Sequence, residues 1–132
     1  MLKEYRLKNR ASFNYIYRKG KTLRSSIITL HFVESTSIKM GISVSKKVGK
    51  SVVRNKTKRR IGEAFCRLAP HLYRPYNYVA VAREDIREST FTEIIDTLES
   101  LLKQGKHIPK EVSWRKSESL LKKEPEYSLE KE

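Results

Sequence analysis

The chain reads as an α+β protein in the order α-β-β-α-β-α, a two-layer sandwich with helices packed on one small mixed sheet. Three observations carry that reading. The stretches IITLHFV, KMGISVS and YNYVAVA have the length and the β-branched or aromatic composition of strands. Three other stretches place apolar residues at i, i+3 and i+4, the period of an amphipathic helix. Between a strand and a helix lies KKVGKSVVRNKTKRR, Lys46 to Arg60, with eight Lys or Arg and no acid.

Asn9 is placed to cap a first helix with the stripe Phe13, Ile16 and Tyr17, and Gly20 stops it. Ile27 to Val33 is the first strand and Lys39 to Ser45 the second, and Ser35-Thr36-Ser37 between them predicts a hairpin. The main helix spans Ser51 to Leu68, capped by Ser51 and ended before Pro70, which cannot continue it. On its wheel Val53, Thr57, Ile61, Ala64 and Leu68 share the inner face. Asn55, Lys56 and Arg59 lie opposite, with Arg54, Lys58 and Arg60 at the borders. Tyr76 to Ala82 is the third strand. The last helix runs from Thr90 to about Lys103, with Thr90 and Glu93 as a capping box. Its inner face is Phe91, Ile94, Ile95, Leu98, Leu101 and Leu102.

A length of 132 residues supports one modest core. The 29 Lys and Arg against 15 Asp and Glu give a net charge of +14, a self-repulsion that points to a polyanionic partner. A membrane-surface helix would need a broad apolar face opposite the charge, and the apolar faces here are committed to the core. Neither a signal-peptide core nor a membrane-spanning run is present, so a soluble cytoplasmic protein is expected. Cys66, the one cysteine, excludes an internal disulfide and reads as an inert thiol. His31, His71 and His107 are too scattered for a metal site, and the latter two, beside prolines, read as surface loop residues. Residues 1–108 form the expected domain. Residues 109–132 form a charged extension with too few apolar side chains to offset the entropy of ordering. Trp114 within it could dock on the domain, dock on a partner or stand exposed.

Gly49-Lys50-Ser51 at a strand-to-helix junction invites a phosphate-loop reading, but that motif needs a glycine where Val44 stands. Glu84 and Asp85 beside Arg83 and Arg87 read as surface pairing. No nucleophile, base and orienting group assemble, so the polypeptide is expected to have no active site of its own. The basic block is different, because solubility alone is served by mixed signs. Arg54 with Lys58, and Asn55 with Arg59, stand one helical turn apart and can grip successive phosphates. Asn55 can also reach a base edge or a 2′-hydroxyl. Phe13 and Tyr17 fit either core packing or a platform for unpaired bases, and His31, opposite Leu30 and Phe32 on its strand, could line the same surface. A ribosome-type RNA-binding protein and a DNA-binding module are rival classes, though no base-reading pattern or dimer seam supports the latter.

The run Gly41 to Phe65, GISVSKKVGKSVVRNKTKRRIGEAF, closely resembles the signature of the bacterial ribonuclease P protein subunit family. That signature is a strand ending in Ser-Lys-Lys-Val-Gly followed by a helix carrying Arg-Asn-Arg-x-x-Arg. The similarity extends from Arg6-Leu7 through Phe13 and Tyr17 to YNYVAVAR and the last helix, and leaves the tail outside. It implies a ribosomal-protein-like fold with a left-handed β-α-β crossover, against the usual hand. It also implies a subunit that joins a catalytic RNA in removing the 5′ leader of precursor tRNA. Hydrolysis would fall to the RNA and its Mg2+, with no metal or catalytic residue on the protein. The partners implied are that RNA and precursor tRNA, without membrane or DNA. Arg54, Asn55, Lys58 and Arg59 match the helix motif and Lys46 and Lys47 the basic strand end, with Lys50, Lys56 and Arg60 grouped beside them as RNA-subunit contacts. Phe13, Tyr17 and His31 match a cleft for the single-stranded leader. Two positions depart from the pattern. Lys56 stands where the family usually has Arg, and His31 where other members can have an aromatic residue.

Overall fold

The computed structural model describes residues 3–115 of the chain. After a short turn at Lys3–Tyr5 come α1 (Arg10–Lys19), β1 (Lys21–Arg24), β2 (Ile28–Glu34), β3 (Lys39–Val44), α2 (Ser51–Leu68), β4 (Tyr76–Ala82) and α3 (Phe91–Gln104). Tight 3-10 turns at Ala69–His71 and Glu84–Glu88 join the later elements. The α+β class and the mixed sheet are as the sequence predicts. The part of the charged extension beyond residue 115 lies outside the described residues.

The sheet order is β1-β2-β4-β3, antiparallel throughout except for the parallel β4-β3 pair. Two features differ from the sequence reading. A fourth strand, Lys21–Arg24, pairs along β2; its four residues are too short and too exposed to carry a periodic signal. The expected hairpin between β2 and β3 is also absent, because β4 inserts between them. The reason is burial. Tyr78 and Ala80 on one face of β4 and Val79 on the other are all fully buried, and only a central strand covers both faces. With β3 and β4 parallel neighbours, α2 becomes the connection of a β-α-β unit.

One face of the sheet carries the main core. Ile28, Leu30, Phe32, Met40, Tyr78, Ala80 and Ala82 pack there with Ile61, Ala64, Phe65 and Leu68 of α2 and Ile94, Ile95, Leu98, Leu101 and Leu102 of α3. At roughly 1.5–3 kcal/mol per fully buried large apolar side chain, this layer dominates the favourable side of folding. The alternate residues face the other way, where α1 lies across β2 and β4 with Ile16 buried. The N-terminal segment covers the free edge of β3, with the Leu7 amide donating to the Met40 carbonyl at 3.0 Å and Tyr5 packed edge-on to Phe65.

The Asn9 cap and the Thr90–Glu93 capping box form as predicted. The cap of α2 does not. Lys50 is the extended N-cap residue, with no side-chain hydrogen bond, and Ser51 is already helical. His107 also departs from its reading as a surface residue. It is 4% exposed, and its ring stands edge-on to Phe32, Tyr76 and Tyr78. Its Nδ1 shares a 3.0 Å hydrogen bond with the Tyr78 hydroxyl, while Nε2 has no partner. The proline beside it suggested a loop, and the loop is real, but its His107 side chain plugs the end of the core. Residues 109–115, placed by sequence in the extension, fold back on α3. Trp114 packs against the core and donates from Nε1 to Asp96 Oδ1 at 2.6 Å.

Burial holds the pKa of His107 below its ordinary 6.5. Burial, and secondarily the charge of Arg24, do the same to His31. A histidine depressed in the folded state binds its proton more readily when unfolded, so stability falls as pH drops below 6.5. The thermal midpoint should therefore decline over that limb, and His107→Gln should flatten the decline. Equal slopes for both proteins would show that His107 does not carry it.

Candidate nucleic-acid interface

The basic block is held by apolar anchors at both ends. The chain leaves β3 through successive turns in which the Val48 amide donates to the Ser45 carbonyl (3.1 Å) and the Gly49 amide to the Lys46 carbonyl (3.2 Å). Val48 is fully buried while Lys46, Lys47 and Lys50 around it are exposed. Gly49 is required by close approach: a Cβ there would sit 2.9 Å from the Val53 side chain. In α2 the buried residues are Thr57, Ile61, Gly62, Ala64, Phe65 and Leu68, so the first turn and a half touches the core only through the half-buried Val53.

The wheel is close to the observed exposure, with one exchange. Asn55, Lys58 and Arg59 are exposed, whereas Lys56 is half-buried like Arg54 and Arg60. Arg54 turns back to its own loop, donating to the Gly49 carbonyl at 3.1 Å and to Ser51 Oγ at 3.4 Å. Arg60 donates to the Ser89 carbonyl at 3.1 Å and ties α2 to the segment before α3. Lys46, Lys47, Lys50, Lys56, Lys58 and Arg59 pair with no described carboxylate. The first turn of α2 has no acid and no side-chain cap, so the positive end of its dipole adds to these charges. Val52, 78% exposed, is an apolar patch among them.

Sequence reasoning missed Arg87 here. Read as pairing with neighbouring carboxylates, it instead donates to the Val48 carbonyl at 3.3 Å, because Ile86 buries and directs the turn toward the loop. Only the long-range packing of that turn reveals this.

The three cleft candidates meet on the other side of the sheet. Gly41, Val79, His31 and Thr22 form one row of register partners across all four strands. Phe13 stands over the β3 end of that row, so close that a Cβ on Gly41 would lie 2.3 Å from its ring tip. Tyr17, one turn later, meets His31 edge-on at 5.1 Å. Thr22 Oγ1 lies 3.1 Å from His31 Nδ1 and fixes the imidazole plane. Phe13 and His31 are half-buried while Tyr17 is 41% exposed, so Tyr17 offers most of the available aromatic surface. Thr22 was missed because its strand was.

Among the described residues no group of three or more His, Cys, Asp and Glu could hold a metal ion. No described helix is long and apolar enough to cross a membrane.

A four-stranded mixed sheet that projects an acid-free basic helix start from a β-α-β unit, with aromatic side chains on its other face, defines a small α+β protein with one concentrated cationic surface. Comparison gives the particular family. The family model described as Ribonuclease P matches residues 1–106. The ribonuclease P protein component of Clostridium acetobutylicum is 36% identical over 108 residues, covering 79% of this chain and 91% of that protein. The one from Staphylococcus carnosus is 36% identical over 115 residues, covering 85% and 99%. The RNase P protein of Staphylococcus aureus superposes with a TM-score of 0.74 at 34% identity, covering 81% of this chain and 100% of that one. That of Thermotoga maritima gives 0.69 at 30% identity, covering 75% and 96%. The chain belongs to the ribonuclease P protein family.

The geometry separates two kinds of cation within one block. Arg59→Ala should leave the urea midpoint unchanged within the error of about 0.5 kcal/mol, since the side chain is exposed and unpaired. Arg60→Ala should lower stability by about 1 kcal/mol through loss of the Ser89 tie. Equal stability for both variants would contradict this division.

Proposed function

We propose that the chain is the protein subunit of a cytoplasmic ribonuclease P ribonucleoprotein, an endonuclease that removes the 5′ leader of precursor tRNA. The observation that carries this is the set of six basic side chains, from Lys46 to Arg59, held on a folded frame without a described carboxylate partner. Their counter-charge is the phosphate backbone of the catalytic RNA. Arg59 offers a planar fork to it and the lysines offer point charges. Asn55 and Val52 supply a polar and an apolar contact to sugar or base between them. If about half of the eight cations in the block meet phosphate, the log–log salt slope of binding is about −3 to −4.

Tyr17, with His31 and the exposed part of Phe13, is the surface on which the unpaired leader stacks. Neutral His31 adds a hydrogen-bonding edge without adding charge. The Mg2+ that supports hydrolysis is assigned to the RNA. The chain's own work is to neutralise phosphate and to extend the grip on substrate into the leader.

Reconstitution tests the reading. Added to a bacterial ribonuclease P RNA at low magnesium, the full chain should restore 5′ leader removal from precursor tRNA. Lys58→Ala/Arg59→Ala should weaken RNA-subunit binding by about tenfold or more. Tyr17→Ala should weaken holoenzyme affinity for precursor tRNA by about five- to tenfold while leaving mature tRNA unchanged, as expected for one lost stacking contact. Failure to stimulate the RNA, or equal losses for both tRNAs, would defeat respectively the subunit and the cleft assignments.

A further inference from the structure

We propose that the two loops at the far end of α2, residues 69–75 and 105–110, form a second contact for single-stranded RNA, with Tyr73 as its stacking platform. The loops are joined where the Tyr73 amide donates to the His107 carbonyl at 3.0 Å. Beneath them the buried His107 fills the end of the core, so the surface has a rigid floor. Tyr73 is 62% exposed, and Arg74, Lys106 and Lys110 are exposed with it. No Asp or Glu occurs from Ala64 to Arg83 or from Ser100 to Lys110. None of the three cations pairs with a described carboxylate.

Lys106 adds a second observation. Its φ of 62° lies in the left-handed region, which glycine or asparagine occupies more cheaply. The amides of Lys106 and His107, bonded to the Lys103 and Leu102 carbonyls, hold the turn in that shape. A lysine at a strained position fits a role for its charge better than a role for its backbone.

This surface is distinct from the basic block. The eight residues of α2 beyond the block span about 12 Å, and the start of the helix lies about 27 Å from the loops. RNA rather than a membrane is the occupant that fits. The exposed apolar group is a single ring with a polar tip, flanked by cations, which matches a base between phosphates and lacks the broad apolar face that insertion needs.

The test uses the full chain and a fluorescent oligouridylate. Ultraviolet crosslinking should mark Tyr73 in the unaltered protein. Tyr73→Ala should weaken binding about tenfold. Arg74→Gln/Lys106→Gly/Lys110→Gln should make the log–log salt slope shallower by about 2, at about 0.7 per single-strand phosphate contact. Lys106→Gly suits the backbone, so this variant should keep its thermal midpoint. The same loss should appear in a Lys58→Ala/Arg59→Ala background, which separates this site from the proposed subunit function. An unmarked Tyr73 together with an unchanged slope would overturn the proposal. So would lost binding to phosphatidylserine vesicles with RNA binding intact, which would assign the surface to a membrane.

Discussion

The arrangement depends on the uneven burial of α2 along its length. Every buried residue of the helix lies between Thr57 and Leu68, and none between Ser51 and Lys56. The C-terminal part is therefore an anchor and the N-terminal part a projection. The projection is unfavourable by itself. Its first turn has no cap, carries no acid and crowds cations against the positive end of the helix dipole. Each such like-charge contact is worth a few tenths of a kcal/mol to about 1, whereas each anchored apolar side chain contributes about 1.5–3. The anchor wins, and it holds that electrostatic strain in place.

The same anchoring links the basic block to the aromatic row. Both meet β3. Its middle residue Gly41 lies under the Phe13 ring, and its end leads through the buried Val48 into the exposed lysines. Parallel pairing with β4 fixes that strand on its inner edge, while the bridge from Arg6 to Met40 borders its outer edge. A displacement of β3 would move both surfaces together. The cationic block and the Phe13 end of the aromatic row are thus tied to one strand.

Much of this was legible locally. The bounds of α2 and β4, the Asn9 cap and the Thr90–Glu93 box follow from side-chain period and cap chemistry, which act over a few residues. The block itself was visible because charge without acid is a property of composition. What was not legible is long-range. Ser35-Thr36-Ser37 does make a bend, yet β2 and β3 do not pair, since the burial of β4 on both faces outweighs the short connection. YNYVAVA, apolar at successive positions, held that signal in a form that local turn chemistry masks. Arg87, Thr22 and His107 escaped for one common reason. Each has its role set by a partner 9 to 39 residues away.

The departure at Lys56 can now be weighed by position. Arg at this point would add a guanidinium fork, but the residue is half-buried at the border of the helix rather than on its outward face. Of the guanidiniums in the block, Arg54 already donates to Gly49 and Ser51, and Arg60 to Ser89. Arg59 is the outward fork. Around it stand lysines, which bind phosphate as point charges over a range of angles rather than in one bidentate geometry. Such an array has one directional contact and several tolerant ones. It suits the irregular backbone of a folded RNA, where phosphate spacing varies, better than the regular repeat of a duplex groove.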